Sequence, residues 1–305
     1  MIGGIKPAGG RLYRWPGLLL TLTAVFWAGH TVAARLAITE ISPFMLTTLR
    51  WVAVAAALWP FYGAEIRAHW PQIRPRLAGI VWLAVAGMTG FNALYYVAAH
   101  YTSAINIGIL QGALPIFVLF GAWLVHGARA SLLQWIGVLI TALGVVVVAT
   151  RGAPLSILEV DLNTGDLAML AACAVYAAYT VALRDRPAMP ATAFFALLAL
   201  IAALTSLPLV AFEAWAGSLR LPTFNGLLIT AWIAVFPSFL AQIFYLRGVD
   251  LIGPGRAGVF VNLVPVFAAA MAVTLIAEPF APFHAVALAL VIGGIWLAQR
   301  TGGPS

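Results

Sequence analysis

Charge is what this chain has least of. Asp, Glu, Lys and Arg make up 8% of its 305 residues, against 63% hydrophobic, and the mean hydropathy is +1.02. That much apolar surface exceeds what a soluble core can bury, which excludes an ordinary soluble domain and points to an all-α polytopic membrane protein. Its nine acidic residues, Glu40, Glu65, Glu159, Asp161, Asp166, Asp185, Glu213, Asp250 and Glu278, fall in loops or at helix ends. The mid-span carboxylate on which proton and sodium pumps usually rely is therefore missing. A single cysteine, Cys173, rules out an intramolecular disulfide and a thiolate zinc site. Paired aspartates for a prenyl diphosphate, HExxH, GxSxG and a P-loop are all lacking, and His69, His100, His126 and His284 show no ligand spacing. No catalysis, cofactor or metal is expected. The net charge of +7 sits between apolar segments, so it signals topology and not a nucleic-acid partner.

What is present is a series of ten apolar runs. They cover residues 17–39, 43–61, 77–99, 103–125, 132–150, 166–183, 192–212, 224–246, 252–276 and 282–298, each close to the roughly 20 residues that cross a bilayer. The first resembles a signal peptide ending near Ala33, but it is long enough to span, and its sequence returns later. FWAGHTVAAR from Phe26 is followed 149 residues on by VYAAYTVALR from Val175. We read it as a retained first span.

Recurrence runs through the whole chain. At a spacing of 150 residues Asn92 maps to Gln242, Tyr95 to Tyr245, Gly108 to Gly258, Pro115 to Pro265 and Phe117 to Phe267. Residues 1–150 and 151–305 thus form two units of five spans each. Placing the amino terminus inside puts Lys6, Arg11, Arg14, Arg67, Arg74, Arg76, Arg129, Arg184, Arg186, Arg247 and Arg300 on the cytoplasmic face, and only Arg35, Arg151 and Arg220 outside. This positive-inside bias makes both termini cytoplasmic. An odd number of spans per unit makes the second copy enter from the opposite face, giving the inverted repeats common among transporters.

Polar residues inside the spans mark candidate positions. Residues three and four apart share a helix face, so Asn92, Tyr95 and Tyr96 form one patch and Ser238, Gln242 and Tyr245 its counterpart. Trp27, His30 and Thr31 form another, matched by Tyr176, Tyr179 and Thr180, and Gln111 and Asn262 join them. Amides exposed to acyl chains are costly, so these stripes should face inward. Two readings stand: a solute pathway, or interhelical hydrogen bonds worth about 1 kcal/mol each. Pro115, Pro237 and Pro265 each free a carbonyl and permit a bend, as a hinge or as a static packing kink. His30 is the only titratable group near mid-membrane apart from arginine. Arg50, without a basic counterpart in the seventh span, and Arg256 read as snorkelling or helix-capping cations, with a carboxylate near the outer mouth as a further option for Arg50.

Ten spans in two repeats, the FWAGHTVAAR stripe, the Leu49–Arg50 pair, the prolines of spans 4 and 9, and Glu278 after span 9 resemble the EamA family of the drug/metabolite transporter superfamily. Within it the chain is similar to the YddG-type exporters of aromatic amino acids and methyl viologen. The resemblance implies a multi-pass protein of the bacterial inner membrane, monomeric or dimeric through spans 5 and 10, in contact with membrane lipid. It would export aromatic amino acids, methionine-like solutes or flat cations by facilitated alternating access. Trp27, Tyr95, Tyr96, Tyr176, Tyr179 and Tyr245 would stack on the solute. Asn92, Gln111, Gln242 and Asn262 would hold a zwitterion in an uncharged chamber. The alternatives are export of another metabolite or drug, including a nucleotide-sugar or phosphometabolite exchanger, and a lipid-modifying membrane enzyme.

Overall fold

The computed structural model describes residues 15–127, 131–153 and 163–299. Lys6, Arg11, Arg14, Arg129 and Arg300, which carry part of the orientation argument, lie outside the described residues, as do Glu159 and Asp161. Among the described residues all regular structure is helical. Nine helices are long and apolar enough to cross a membrane, and a shorter apolar helix, Pro282–Ala298, follows them.

We number the helices α1 (Pro16–Leu36), α2 (Pro43–Ala68), α5 (Leu132–Ala149), α6 (Thr164–Ala182), α7 (Ala191–Trp215) and α10 (Pro282–Gln299). The other four are interrupted. Helix α3 joins Leu77–Ala84 to Phe91–Tyr101 through a π-helical segment, Val85–Gly90, and α8 joins Phe224–Ile233 to Ala241–Ile252 through another, Ala234–Leu240. Helix α4 breaks at a 3₁₀ turn, Gln111–Ala113, between Ala104–Leu110 and Leu114–His126. Helix α9 breaks between Pro254–Val261 and Val264–Ile276.

Local chemistry sets the helix starts. Proline, whose missing N–H is harmless in a first turn, opens α1 and α2. Ser103 caps α4, Asn163 caps α6 and Thr223 caps α8, while Ser131 and Gln134 cap each other's backbone at α5. Helix α2 continues to Ala68, beyond the expected end near residue 61, because Pro60 is accommodated within it.

Packing relates the two halves of the chain by exchange. Helix α1 packs on α8 and on the second half of α9, and α6 packs on α3 and on the second half of α4. The remaining close pairs are α2 with α7 and α5 with α10. At α5–α10 the backbones nearly touch: a Cβ on Gly137 would lie 2.5 Å from the Gly294 carbonyl oxygen, an approach open only to glycine.

The exchange is broken in one respect. Six of the seven residues of Ala104–Leu110 are buried, packed on Val264–Ile276. None of Leu114–His126 is buried. The bundle is sealed at the end where α4 starts and loose at the end where it finishes.

Two carboxylates hold the sealed end. Glu278 accepts from the backbone N–H groups of Ala104 and Ile105 at 2.9 and 3.1 Å and pairs with Arg35 at 3.4 Å. Glu213 accepts from the Ser42 hydroxyl and from the N–H groups of Phe44 and Met45. Each lies on the positive end of a helix dipole, α4 or α2.

Candidate functional site

Four helices bring polar groups to one buried point. Arg50, eighth in α2 and hence about 10 Å from its start at 1.5 Å per residue, is only 6% exposed. Its Nε donates to Ser238 Oγ of α8 at 2.8 Å. Its Nη1 faces Asn92 Oδ1 and the Tyr96 hydroxyl of α3 and His30 Nε2 of α1, the last two at 2.9 and 3.1 Å. A guanidinium can only donate, so His30 meets it as a neutral imidazole with its proton on Nδ1. His30 Nε2 and the Tyr96 hydroxyl are also 2.8 Å apart. Asn92 is itself fixed by donating to the Met88 carbonyl at 2.6 Å.

The π-helical segment of α8 explains how Ser238 arrives there. Its hydroxyl also donates to the carbonyl of Ile233, five residues back, at 2.7 Å. The wider turn leaves the Pro237 carbonyl without its usual partner, since the Ala241 N–H bonds to Phe236. The Trp27 indole N–H takes that carbonyl at 3.2 Å.

Aromatic rings extend from this point. His30 lies flat on Tyr95 with centroids 4.6 Å apart, and Tyr95 meets Tyr96 edge-on. From Tyr95 the rings continue through Phe91 to Tyr176 and then to Tyr179. Tyr179 packs onto Gly87, where a Cβ would come within 2.4 Å of the ring. Gln111 donates to the Tyr95 hydroxyl at 3.3 Å, and Trp27 meets Tyr245 at 5.4 Å. Trp27, Gln111, Tyr176 and Tyr245 are half-buried, whereas Tyr95 and Tyr96 are fully enclosed.

Most of the residues singled out from sequence thus come together. Gln242 stands apart, beside Leu58, Tyr62 and Phe195 between α8, α2 and α7, because the preceding π-helical turn rotates it off the face of Ser238. Asn262 occupies the break in α9. Pro115 and Pro265 stand in the first turn of the second halves of α4 and α9, and Pro237 lies inside the π-helical segment. All three mark interruptions instead of simple bends.

The expectation of an uncharged chamber needs correction, since Arg50 is at the centre of the cluster. Snorkelling fails as an account of it because the side chain is buried and points into the bundle. The available signal was its position well inside a span, where an arginine normally faces the interior. A hollow of about 240 Å³ lies elsewhere, between the second half of α4, α5 and α10, and its lining is apolar apart from Gln134 and Thr141. It carries none of this chemistry.

Comparison with known proteins bears on the same architecture. The family described as "EamA-like transporter family" matches residues 14–150 and again residues 163–299. The chain belongs to this family. Among its relatives, an uncharacterized transporter of Archaeoglobus fulgidus is 26% identical over 92% of this chain and 96% of its own. The uncharacterized transporter YetK of Bacillus subtilis is 25% identical over 96% and 90%. The uncharacterized inner membrane transporter YedA of Escherichia coli K12 is 22% identical over 90% and 87%. A solved crystal structure superimposes with a TM-score of 0.60 over 94% of this chain and 98% of its own, at 21% identity, which speaks for the fold. This EamA-family chain is a multi-pass membrane protein, and its family and relatives make it a transporter of small solutes.

Proposed function

We propose that the chain exports small metabolites with an aromatic or apolar body, aromatic amino acids first, by facilitated alternating access in the manner of the YddG-type branch. The observation that carries this reading is the enclosed polar cluster at the foot of a half-exposed aromatic wall, beneath a sealed end. Trp27, Tyr95, Tyr176 and Tyr245 supply flat faces for a ring, and His30, Asn92, Tyr96, Gln111 and Ser238 supply directional polar contacts. Supporting the mechanism are the exchange-related packing of the two halves and the paired interruptions of α3 with α8 and of α4 with α9. In this reading ten spans form two inverted five-helix repeats, residues 1–150 and 151–305, with both termini cytoplasmic in a bacterial inner membrane. The sealed end then faces outward, and the conformation is the one that receives solute from the cytoplasm. The protein works as a monomer or as a homodimer through α5 and α10.

The test is efflux of labelled phenylalanine from proteoliposomes. We expect release faster than from protein-free vesicles and slower release from Trp27→Ala and Tyr95→Ala protein. Release equal to that of empty vesicles would overturn the reading. Should an imposed pH gradient drive phenylalanine against its concentration, transport is coupled and the facilitative part fails.

A further inference from the structure

We infer that Arg50 is the anchor for a carboxylate on the transported solute, and that the site takes organic acids for which an ammonium group is dispensable. This rests on the transporter reading above and names its substrate class.

The first argument is a missing charge. Every group bonded to the Arg50 guanidinium is neutral: a serine and a tyrosine hydroxyl, an amide oxygen and an imidazole nitrogen. Among the described residues the one ion pair is Arg35 with Glu278. The buried carboxylates are engaged elsewhere. Glu213 is held at the start of α2, Glu278 at the start of α4, and Asp166 by the Thr102 hydroxyl at 2.5 Å. A cation enclosed without a counter-charge costs several kcal/mol even in a soluble protein, and a bilayer gives no relief. Neutral acceptors offset only part of that cost, so an arriving anion gains what the protein leaves unsupplied.

The second argument is geometry. Nε and Nη1 carry all the bonds described above, and no hydrogen-bond acceptor is paired with Nη2 among the described residues. A carboxylate binds a guanidinium through two parallel N–H groups, and an unengaged terminal nitrogen is what that fork requires. Next to it stand the rings of His30, Tyr95 and Tyr96, which continue through Phe91 to Tyr176. The arrangement suits a solute with a charged head and a flat apolar body.

The third argument concerns what the site does not offer. An α-ammonium would find no carboxylate among the cluster residues, only amides and hydroxyls, and it would feel the guanidinium in a low dielectric. Zwitterions are therefore admitted for their carboxylate, and cations without one are rejected.

Four probes sharing one aromatic body separate these terms: 3-phenylpropionate, phenylalanine, phenylalanine amide and phenethylamine. Equilibrium binding of each is measured on the purified full-length protein at neutral pH. We expect both carboxylates to bind at least about tenfold tighter than the two amines, as a hydrogen bond to a charged group would give, with 3-phenylpropionate no weaker than phenylalanine. Arg50→Gln should bring all four within about threefold of one another, while Arg50→Lys should keep part of the preference. If the Gln variant does not fold, the wild-type series decides alone. Amines binding as well as carboxylates, or phenylalanine binding where 3-phenylpropionate does not, would overturn the anchor and leave the transporter reading standing. Binding of none of the four would overturn both.

Discussion

At the scale of single residues, two neighbouring tyrosines do different work. The Tyr96 hydroxyl touches both Arg50 Nη1 and His30 Nε2, while that of Tyr95 meets only the Gln111 amide, at a longer 3.3 Å. Removing a hydroxyl that helps neutralise a buried cation should cost about 1–3 kcal/mol, against about 0.5–1.5 kcal/mol for an ordinary hydrogen bond. Tyr96→Phe should therefore lower the melting temperature in detergent more than Tyr95→Phe, and equal losses would show that the guanidinium does not lean on Tyr96. The sequence made this cluster partly legible. Asn92, Tyr95, Tyr96, His30 and Ser238 stand out because amides and rings inside apolar spans demand partners. Arg50 was undervalued for a physical reason: a long aliphatic stem lets an arginine reach either the interface or the interior, and sequence spacing does not say which.

At the scale of elements, the interruptions decide which side chains meet. Spacing by three and four residues placed Gln242 with Ser238 and Tyr245, a rule that assumes regular α-helix. The π-helical segment Ala234–Leu240 inserts extra arc, and Gln242 turns toward α2 and α7. Pro237 hinted at irregularity, but nothing in the sequence of Val85–Gly90 announces its wider turn apart from the two glycines there. Removing one residue from Ala234–Leu240 should restore a regular helix and swing everything after it by about 100°. Trp27 would then lose its carbonyl partner, and phenylalanine efflux should fall to the background of empty vesicles; wild-type efflux would mean the wide turn is incidental. The α5–α10 seam gives a second test. A Cβ on Gly294 would lie 2.3 Å from Thr141 Oγ1 and 2.5 Å from the Gly137 carbonyl oxygen. Gly294→Ala should destabilise by about 1–3 kcal/mol, as overpacking does, seen as a lower thermal midpoint. An unchanged midpoint would mean that the two helices separate freely.

At the scale of the whole molecule, ten apolar runs and a twofold pattern were legible because hydropathy and a near-constant spacing of 150 residues are properties of sequence alone. Which end is sealed was not, since both conformations of an alternating transporter are built from the same residues. Their difference lies in packing: Ala104–Leu110 is buried and Leu114–His126 is not. The native Cys173 is fully buried, so introduced cysteines can report on access. In vesicles exposing the cytoplasmic face, Gln111→Cys should react with a membrane-impermeant maleimide, whereas Ile107→Cys, one turn toward the sealed end, should not. Adding Glu278→Gln removes the charge that pairs with Arg35 and weakens the cap on Ala104 and Ile105. It should raise labelling of Ile107→Cys from the opposite face several-fold, given the ~1–2 kcal/mol that such partly buried dipole and ion contacts contribute. No change would show that these carboxylates do not latch the bundle.

The unequal packing of the two parts of α4 also bears on inhibition. A compact ligand shaped like a wedge for the loose end would find its docking surface already exposed, without waiting for a rare excursion. Once lodged there, it would stall the cycle in one posture and obstruct cargo arriving from one compartment only. The same ligand offered from the other compartment should be inert, a directional pharmacology written into where a single helix is tight and where it is slack.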